Sequence, residues 1–176
     1  MEKVKPTNLS KAEIQELAED FHKEMECYIP VNVNLVISRL GGKVEYFNPR
    51  CTNKEEYENT PSLRVFSKTE FVINILDCFS LSRDNTSLTH DLAHYVLHSK
   101  RGKLEVEADR YGGNNRVEWE ANWWAWAFLM PKTVFLKEAY ACNKNICTLS
   151  HKFMVPGSVV SIRLNDLEEN ILDFQI

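Results

Sequence analysis

Residues 89–98 read Thr-His-Asp-Leu-Ala-His-Tyr-Val-Leu-His, so three histidines stand four positions apart. On an α-helix, side chains at positions i and i+4 lie on the same face, with Cβ atoms about 5–6 Å apart. The imidazoles of His90 and His94 can therefore bind one metal ion. A helix with the pattern H-E-x-x-H is typical of zinc hydrolases, in which two histidines bind the metal and the glutamate is the general base. In this chain, Asp91 stands at the position of that glutamate.

The third histidine of this segment, His98, is a poor candidate for the same ion. It follows His90 by eight residues, which is about 12 Å along a straight helix at 1.5 Å per residue. Metal–nitrogen bonds are about 2.0–2.1 Å long, so one ion does not easily reach three successive turns. We expect His98 at the C-terminal end of the helix, where positive charge is favourable. A role beside the ligands or facing the substrate stays open.

A catalytic zinc ion usually has three protein ligands and one open position, so a third ligand must come from another segment. Five carboxylates are candidates: Glu105, Glu107, Asp109, Glu118 and Glu120. The first three stand in a charged run that we expect to be solvated. Glu118 and Glu120 open the apolar segment 116–130, where an inward carboxylate needs a partner. Spacing favours Glu118 only modestly, and Asn122, four residues later, could orient its carboxylate.

Length and composition describe an ordinary globular domain. The chain has 176 residues, 44% hydrophobic and 26% charged, with a net charge of −4, so we predict one domain over residues 1–176 and no general affinity for nucleic acid. No apolar run is long enough to cross a membrane, and the first residues lack the apolar core of a signal peptide. The five cysteines form no C-x-x-C pair, which favours free thiols in the cytoplasm.

Hydrophobic periodicity predicts an α+β fold for the first half of the chain. Ser10 and Glu13 form a capping box at the start of a helix over residues 10–27. A shorter helix over 31–40 ends at two glycines, a strand covers 43–47, and 48–61 reads as a loop. Apolar runs at 63–66 and 71–76 predict a β-hairpin. These elements predict a small, mainly antiparallel three-stranded sheet within an N-terminal part, residues 10–80.

The second half is predicted to be helical. A helix over 86–99 with Thr86 or Ser87 as N-cap carries the histidines, a loop covers 101–115, and a mostly apolar helix covers 116–130. These residues, 86–131, form the predicted metal-site part. A helix over 133–141 and a pair at 146–151 and 156–167, with helix-turn-helix-like spacing, form the C-terminal part, 132–176.

Together, residues 90–98 and 117–131 resemble the ImmA/IrrE family of metallo-endopeptidases. The family pattern is H-E-x-x-H followed by a helix of the form E-x-E-A-N-x-F-A-x-x-L-L-M-P, and the similarity extends over roughly residues 10–170. The resemblance implies a zincin-like helical core, a Zn²⁺ cofactor, ligands at His90, His94 and Glu118, and a general base at Asp91. From their positions in the sequence, apart from this resemblance, we consider Asn122, His98 and Tyr95 as candidates for supporting or substrate-facing residues.

The resemblance also implies a partner. Family members of this size commonly cleave a helix-turn-helix repressor of a mobile element or prophage and so relieve repression. A strand of the 63–76 hairpin could bind an extended substrate if it is a sheet edge near the metal. Tyr95, Tyr111 and His151 are candidates for stabilising the oxyanion.

Aspartate at position 91 leaves three interpretations open. The protein can be a slow peptidase, a metal-binding anti-repressor that holds a partner without cutting it, or a variant whose Asp91 was introduced to stall turnover. A DNA-associated regulator that uses the C-terminal helical pair is a rival class, although residues 146–167 offer only Lys152 and Arg163 as basic groups. A His-Asp metal phosphohydrolase is a second rival, which would need further ligands on other helices.

Overall fold

The computed structural model describes residues 1–48, 53–76, 80–109 and 115–172. Its elements confirm the predicted α+β class. In chain order they are β1 (Glu2–Lys3), α1 (Lys11–Glu24), α2 (Val33–Arg39), β2 (Gly42–Phe47), α3 (Lys54–Asn59), β3 (Leu63–Ser67), β4 (Glu70–Leu76), α4 (Leu81–Ala93), a π-helical turn (His94–His98), β5 (Val106–Ala108), α5 (Asn115–Leu129), α6 (Lys132–Ala141), α7 (Ile146–Phe153) and α8 (Gly157–Leu172). Among these helices, none is both long and apolar enough to span a membrane.

The sheet differs from the predicted three-stranded, mainly antiparallel one. It has five described strands in the order β1-β5-β3-β4-β2. The hairpin β3–β4 is antiparallel as predicted, but β2 pairs with β4 in parallel. The chain passes through α3 and β3 between these two strands, and β4 reverses the direction of β3. β1 and β5 have two and three residues, too few to show an alternating pattern, and β5 lies in the charged run predicted as loop.

Both strands of the hairpin lie inside the sheet. Neither is therefore the free edge to which an extended substrate was predicted to bind. β3 is bordered by β5 and β4, and β4 by β3 and β2, so the outer strands are β1 and β2. In β3, Leu63 and Val65 are buried while Arg64 and Phe66 are exposed. One face of the hairpin therefore packs on the helices, as the period-two pattern of a half-buried strand requires.

Aromatic packing holds α1 against α5 and so positions the helix that carries Glu118. Trp124 is fully buried and stacks on Phe128, with ring centroids 4.9 Å apart. Phe21 of α1 contacts both rings, at 5.5 and 5.8 Å. The tryptophans of α5 are not all core residues, because Trp119 is 53% exposed.

Two helix boundaries differ from their predictions. α4 begins at Leu81 after Ser80, so Thr86 and Ser87 lie within the helix and not at its N-cap. The hydroxyl of Thr86 donates to the carbonyl of Ser82 one turn earlier, which lets a capping-type residue stay inside the helix. The predicted loop 48–61 contains the short helix α3, which begins after the N-cap Asn53.

The C-terminal pair α7–α8 forms as predicted, but its basic groups are engaged inside the protein. Arg163 is buried, and its Nε donates to the carbonyl oxygen of Met130, 3.2 Å away. Lys152 forms an ion pair with Glu138. A helix pair whose two basic side chains are occupied in this way offers little for binding phosphates.

The capping box predicted at α1 is present and gives a stability test. Ser10 accepts a hydrogen bond from the amide of Glu13, whose carboxylate accepts one from the amide of Ser10. We expect Ser10→Ala to lower the free energy of unfolding by about 0.5–2 kcal/mol in urea titrations, because the amide of Glu13 loses the Ser10 hydroxyl as its acceptor. Ser38→Ala, at an exposed position inside α2, is the control and should change it by less than about 0.5 kcal/mol. Equal effects of the two substitutions would contradict a role for the cap.

Candidate metal centre

Three side chains from α4, the π turn and α5 meet at one point. The Nε2 atoms of His90 and His94 are 3.1 Å apart. Glu118 places one carboxylate oxygen 3.1 Å from His90 Nε2 and the other 3.8 Å from His94 Nε2. All three ligand atoms lie within 4.8 Å of one another. The structure thus brings together the two histidines and the carboxylate that the sequence singled out as ligands.

This donor set fits zinc. Two imidazole nitrogens and one carboxylate oxygen are a known ligand combination of catalytic zinc sites. Ligand atoms bound tetrahedrally at about 2.0–2.1 Å stand about 3.3 Å from one another. The Nε2 atoms of His90 and His94, and His90 Nε2 and Glu118 Oε2, are each 3.1 Å apart, which is close to that value. His94 Nε2 is 3.8 Å from the other carboxylate oxygen, and one atom of each residue lies within 4.8 Å of the other two.

The imidazole of His90 is oriented by Asn122, one turn after Glu118 on α5. Asn122 Oδ1 is 3.0 Å from His90 Nδ1. An amide oxygen only accepts hydrogen bonds, so Nδ1 carries the proton and Nε2 faces the other two ligands. The sequence predicted that Asn122 would orient the carboxylate of Glu118. The contact in the structure is with the histidine instead.

The pKa values of the two ligand histidines move in opposite directions. Burial disfavours the charged form of His90, but its hydrogen bond to Glu118 and the charges of Asp91 and Glu118 outweigh this and raise its pKa. Burial, together with the neighbouring His90 and His98, lowers the pKa of His94 well below its ordinary value. Without metal, the surroundings thus favour the protonated form of His90 beside Glu118 and disfavour the protonated form of His94.

His98 lies behind the ligands and not among them. Its Nδ1 is 2.9 Å from Nδ1 of His94, and its Nε2 is 3.2 Å from Oε2 of Glu120. The π turn allows this, because the amide of Ser99 bonds to the carbonyl of His94, five residues back, and the turn is wider than an α-helical one. The argument from a straight helix predicted that His98 is not a ligand, and in the structure its Nε2 faces Glu120. That prediction missed the contact with His94.

Glu120, the other carboxylate that opens α5, is fully buried and points away from the ligands. Its oxygens accept hydrogen bonds from the amides of Thr7 and Asn8 and from Nε of Arg116, at 2.7, 3.1 and 2.8 Å. Burial raises the pKa of Glu120, but these hydrogen bonds outweigh it and lower the pKa. Sequence reasoning weighed Glu120 only as a ligand and had no signal for its partners in the N-terminal segment.

Two of the ligands, His90 and Glu118, border a cleft that also contains the expected base. Its lining consists of Tyr57, Ser62, Thr86, Ser87, His90, Asp91, Asp109, Glu118 and Asn122. Asp91 is 6% exposed and stands on this wall, next in sequence to His90. Asp109, which the sequence predicts to be solvated, is exposed and also lines this cleft. Hydroxyl, amide and carboxylate groups thus surround the place where a substrate would meet the metal.

Other suggested site residues lie elsewhere. Tyr95 is buried, stacks on Phe71 with ring centroids 4.0 Å apart, and donates its hydroxyl to the carbonyl oxygen of Lys68. It therefore supports the hairpin and does not line the cleft. His151 is exposed on α7. Tyr111 lies outside the described residues.

The sequence model of the IrrE N-terminal-like domain, a domain of M78 peptidases, matches residues 45–165. The chain belongs to this family. The match includes every residue of the candidate centre. None of the curated proteins matches the chain.

The fold of this family member is also found among solved structures. A chain described as a Mycobacterium tuberculosis transcriptional regulator superposes with a TM-score of 0.56 at 18% sequence identity, over 86% of this chain and 46% of that one. At this identity the similarity concerns the fold. This family member spans less than half of the length of that regulator.

The geometry predicts one zinc ion per chain. We expect metal analysis of purified protein to give 1:1 stoichiometry. Loss of a residue that hydrogen-bonds to a ligand typically weakens metal binding by about 10–100-fold. His90→Ala removes a ligand itself and should weaken zinc binding by more than this. His151→Ala, which changes an exposed histidine away from the cleft, is the matched control and should bind zinc as the wild type does. Unchanged metal content in His90→Ala would show that the ion binds elsewhere.

Zinc binding should also depend on pH. Zinc competes with protonation of His90, whose pKa is raised above the ordinary 6.5. Below that raised pKa, we expect the apparent zinc affinity to fall about tenfold per pH unit for the one proton displaced. Competition with a chromophoric chelator across about pH 5 to 8 measures this. An affinity that does not change over the range would contradict the assignment of the proton to the ligand set.

Proposed function

We propose that this protein is a zinc-dependent endopeptidase that acts on a helix-turn-helix transcriptional repressor of a mobile element or prophage and thereby relieves repression. The observation that carries the proposal is the convergence of His90, His94 and Glu118 on one point, with Asp91 beside them in an open cleft. Membership of a peptidase family supports hydrolysis of a peptide bond as the reaction.

In the proposed hydrolysis, the ligands bind the metal and Asp91 transfers the proton. Bound zinc lowers the pKa of a coordinated water to about 7 and polarises carbonyl groups. His90, His94 and Glu118 would bind it through two nitrogens and a carboxylate. Asp91 would take the proton from the attacking water and return it to the nitrogen of the leaving amine. Its burial on the cleft wall, next to His90, supports this role.

The length of the Asp91 side chain limits the rate. A general base must come within about 2.6–3.2 Å of the proton that it removes. Aspartate has one methylene fewer than the glutamate of the family pattern, so its carboxylate stands further back. General-base catalysis is worth about 10²–10⁴ in rate, and part of this factor is lost when the base is misplaced. The proposal therefore includes slow turnover.

The proposed substrate class comes from the family resemblance. The wall of the cleft supplies groups that suit a peptide backbone, because the hydroxyls of Ser62, Thr86 and Ser87 can donate to carbonyls and accept from amides. A repressor that binds DNA is a cytoplasmic substrate. Free thiols at Cys27, Cys142 and Cys147 agree with that compartment.

Restoring the family residue tests the role of the base. We expect Asp91→Glu to raise the rate of cleavage, within the limit of about 10²–10⁴ that a general base contributes, because the longer side chain reaches the attacking water. Asp91→Asn should remove activity without removing zinc. The assay incubates zinc-loaded protein with a helix-turn-helix repressor encoded next to its gene, and mass spectrometry records the fragments.

The control for this experiment is Glu118→Gln, which weakens metal binding while leaving Asp91 in place. It should be inactive because it lacks zinc. Two results would contradict the proposal. One is that the repressor binds but is cut by neither the wild type nor Asp91→Glu, which identifies a non-catalytic anti-repressor. The other is equal activity of the wild type and Asp91→Asn.

A further inference from the structure

Three buried side chains form a line of contacts that starts at the metal ligand His94 and leads away from the cleft. It begins at His94, passes through His98 and ends at Glu120, with contacts of 2.9 and 3.2 Å. The side chains of His98 and Glu120 have no solvent exposure, and that of His94 is 2% exposed. Every polar atom in this line must therefore find its partner within the protein.

The positions of the protons on the two histidines follow from the hydrogen bonds of Glu120, the last residue of the line. Glu120 receives hydrogen bonds from four further donors: the amides of Thr7 and Asn8, the hydroxyl of Thr7 and Nε of Arg116. A carboxylate surrounded by donors is ionised and only accepts. His98 must therefore donate to it from Nε2.

The donor on Nε2 of His98 in turn decides which ring nitrogen of His98 and of His94 carries the proton. A neutral imidazole that carries its proton on Nε2 has a lone pair on Nδ1. Nδ1 of His98 thus accepts a hydrogen bond from Nδ1 of His94. Since His94 carries its own proton on Nδ1, its Nε2 has the lone pair, and this is the atom that faces His90 and Glu118.

We infer that Glu120 and His98 are positioning residues that fix the tautomer and the ring orientation of the metal ligand His94. The inference rests on the proposed metal centre and adds two residues to it. A carboxylate that orients a ligand histidine usually does so directly. In this protein a second imidazole stands between the carboxylate and the ligand, and the π turn at His94–His98 provides the space for it.

The far end of the line also joins the N-terminal segment to the centre. Asn8 has a left-handed backbone, with φ of 60°, and the amides of Thr7 and Asn8 both donate to the carboxylate of Glu120. Arg116 donates both to Glu120 and to the carbonyl oxygen of Leu9. The segment thus holds Glu120 in place.

The test compares two substitutions at His98 by zinc affinity, measured in competition with a chelator. His98→Phe keeps a ring of similar size but removes both the acceptor for His94 and the donor to Glu120. We expect it to bind zinc about 10–100-fold more weakly than the wild type. His98→Gln keeps one acceptor and one donor at the ends of its amide and should stay within about threefold of the wild type.

A matched control separates a positioning role from general loss of stability. His22 is a half-buried histidine whose Nδ1 bonds to the carbonyl oxygen of Phe128 at 2.9 Å, in a contact that does not involve the metal ligands. His22→Phe should change thermal stability but not zinc affinity. Wild-type affinity in His98→Phe, or equal losses in His98→Phe and His22→Phe, would overturn the inference. Failure of the wild type itself to bind zinc would instead overturn the proposed function.

A second measurement needs no substitution. Long-range ¹H–¹⁵N NMR spectra of the wild-type protein distinguish the two neutral tautomers of each histidine. We expect the proton of His94 on Nδ1 and that of His98 on Nε2, with and without zinc. A proton on Nδ1 of His98, or on both of its nitrogens, would overturn the inference even if His98→Phe does not fold.

Discussion

Burial of polar side chains between α4 and α5 is the constraint on which the candidate centre depends. His94, His98 and Glu120 are almost completely buried, and an ionised carboxylate without partners costs several kcal/mol in the protein interior. The two helices and the N-terminal segment therefore meet in an arrangement that gives these three side chains partners within the protein. The same arrangement places Glu118, two residues before Glu120, against the Nε2 atoms of His90 and His94.

The two ends of this polar array have different functions. At the inner end, the side chain of Glu120 is fully buried and surrounded by donors. At the outer end, the side chain of Glu118 is 36% exposed and faces an open cleft. A metal centre needs both properties, because its ligands must be held rigidly while a substrate and water reach the ion. Both carboxylates belong to glutamates, so their different burial, and not their residue type, separates the buried role of Glu120 from the ligand role of Glu118.

Part of this site could be predicted from the sequence. Two histidines at i and i+4 on a helix and a carboxylate at the start of an apolar helix are local patterns. They indicated His90 and His94 and left Glu118 and Glu120 as the main candidates for the third ligand, and the family resemblance then implied Glu118. The partners of Glu120 could not be found in this way, because Thr7 is 113 residues away in the sequence. The contact of His98 with His94 depends on a π turn, which the hydrophobic pattern of an ordinary helix does not reveal. The strands β1 and β5 were missed because two or three residues carry no periodicity.

Membership of the peptidase family and the geometry of the ligands do not depend on how well Asp91 acts as a base. A factor of about 10²–10⁴ in rate corresponds to about 2.7–5.4 kcal/mol of activation free energy, and one methylene can affect much of that without disturbing the metal. The most direct measurement of the central claim is X-ray absorption spectroscopy of the zinc-loaded protein. The structure predicts nitrogen and oxygen neighbours alone, at about 2.0–2.2 Å, with the multiple scattering of two imidazoles. A sulfur neighbour at about 2.3 Å, or the signal of one imidazole or none, would contradict a centre built from His90, His94 and Glu118.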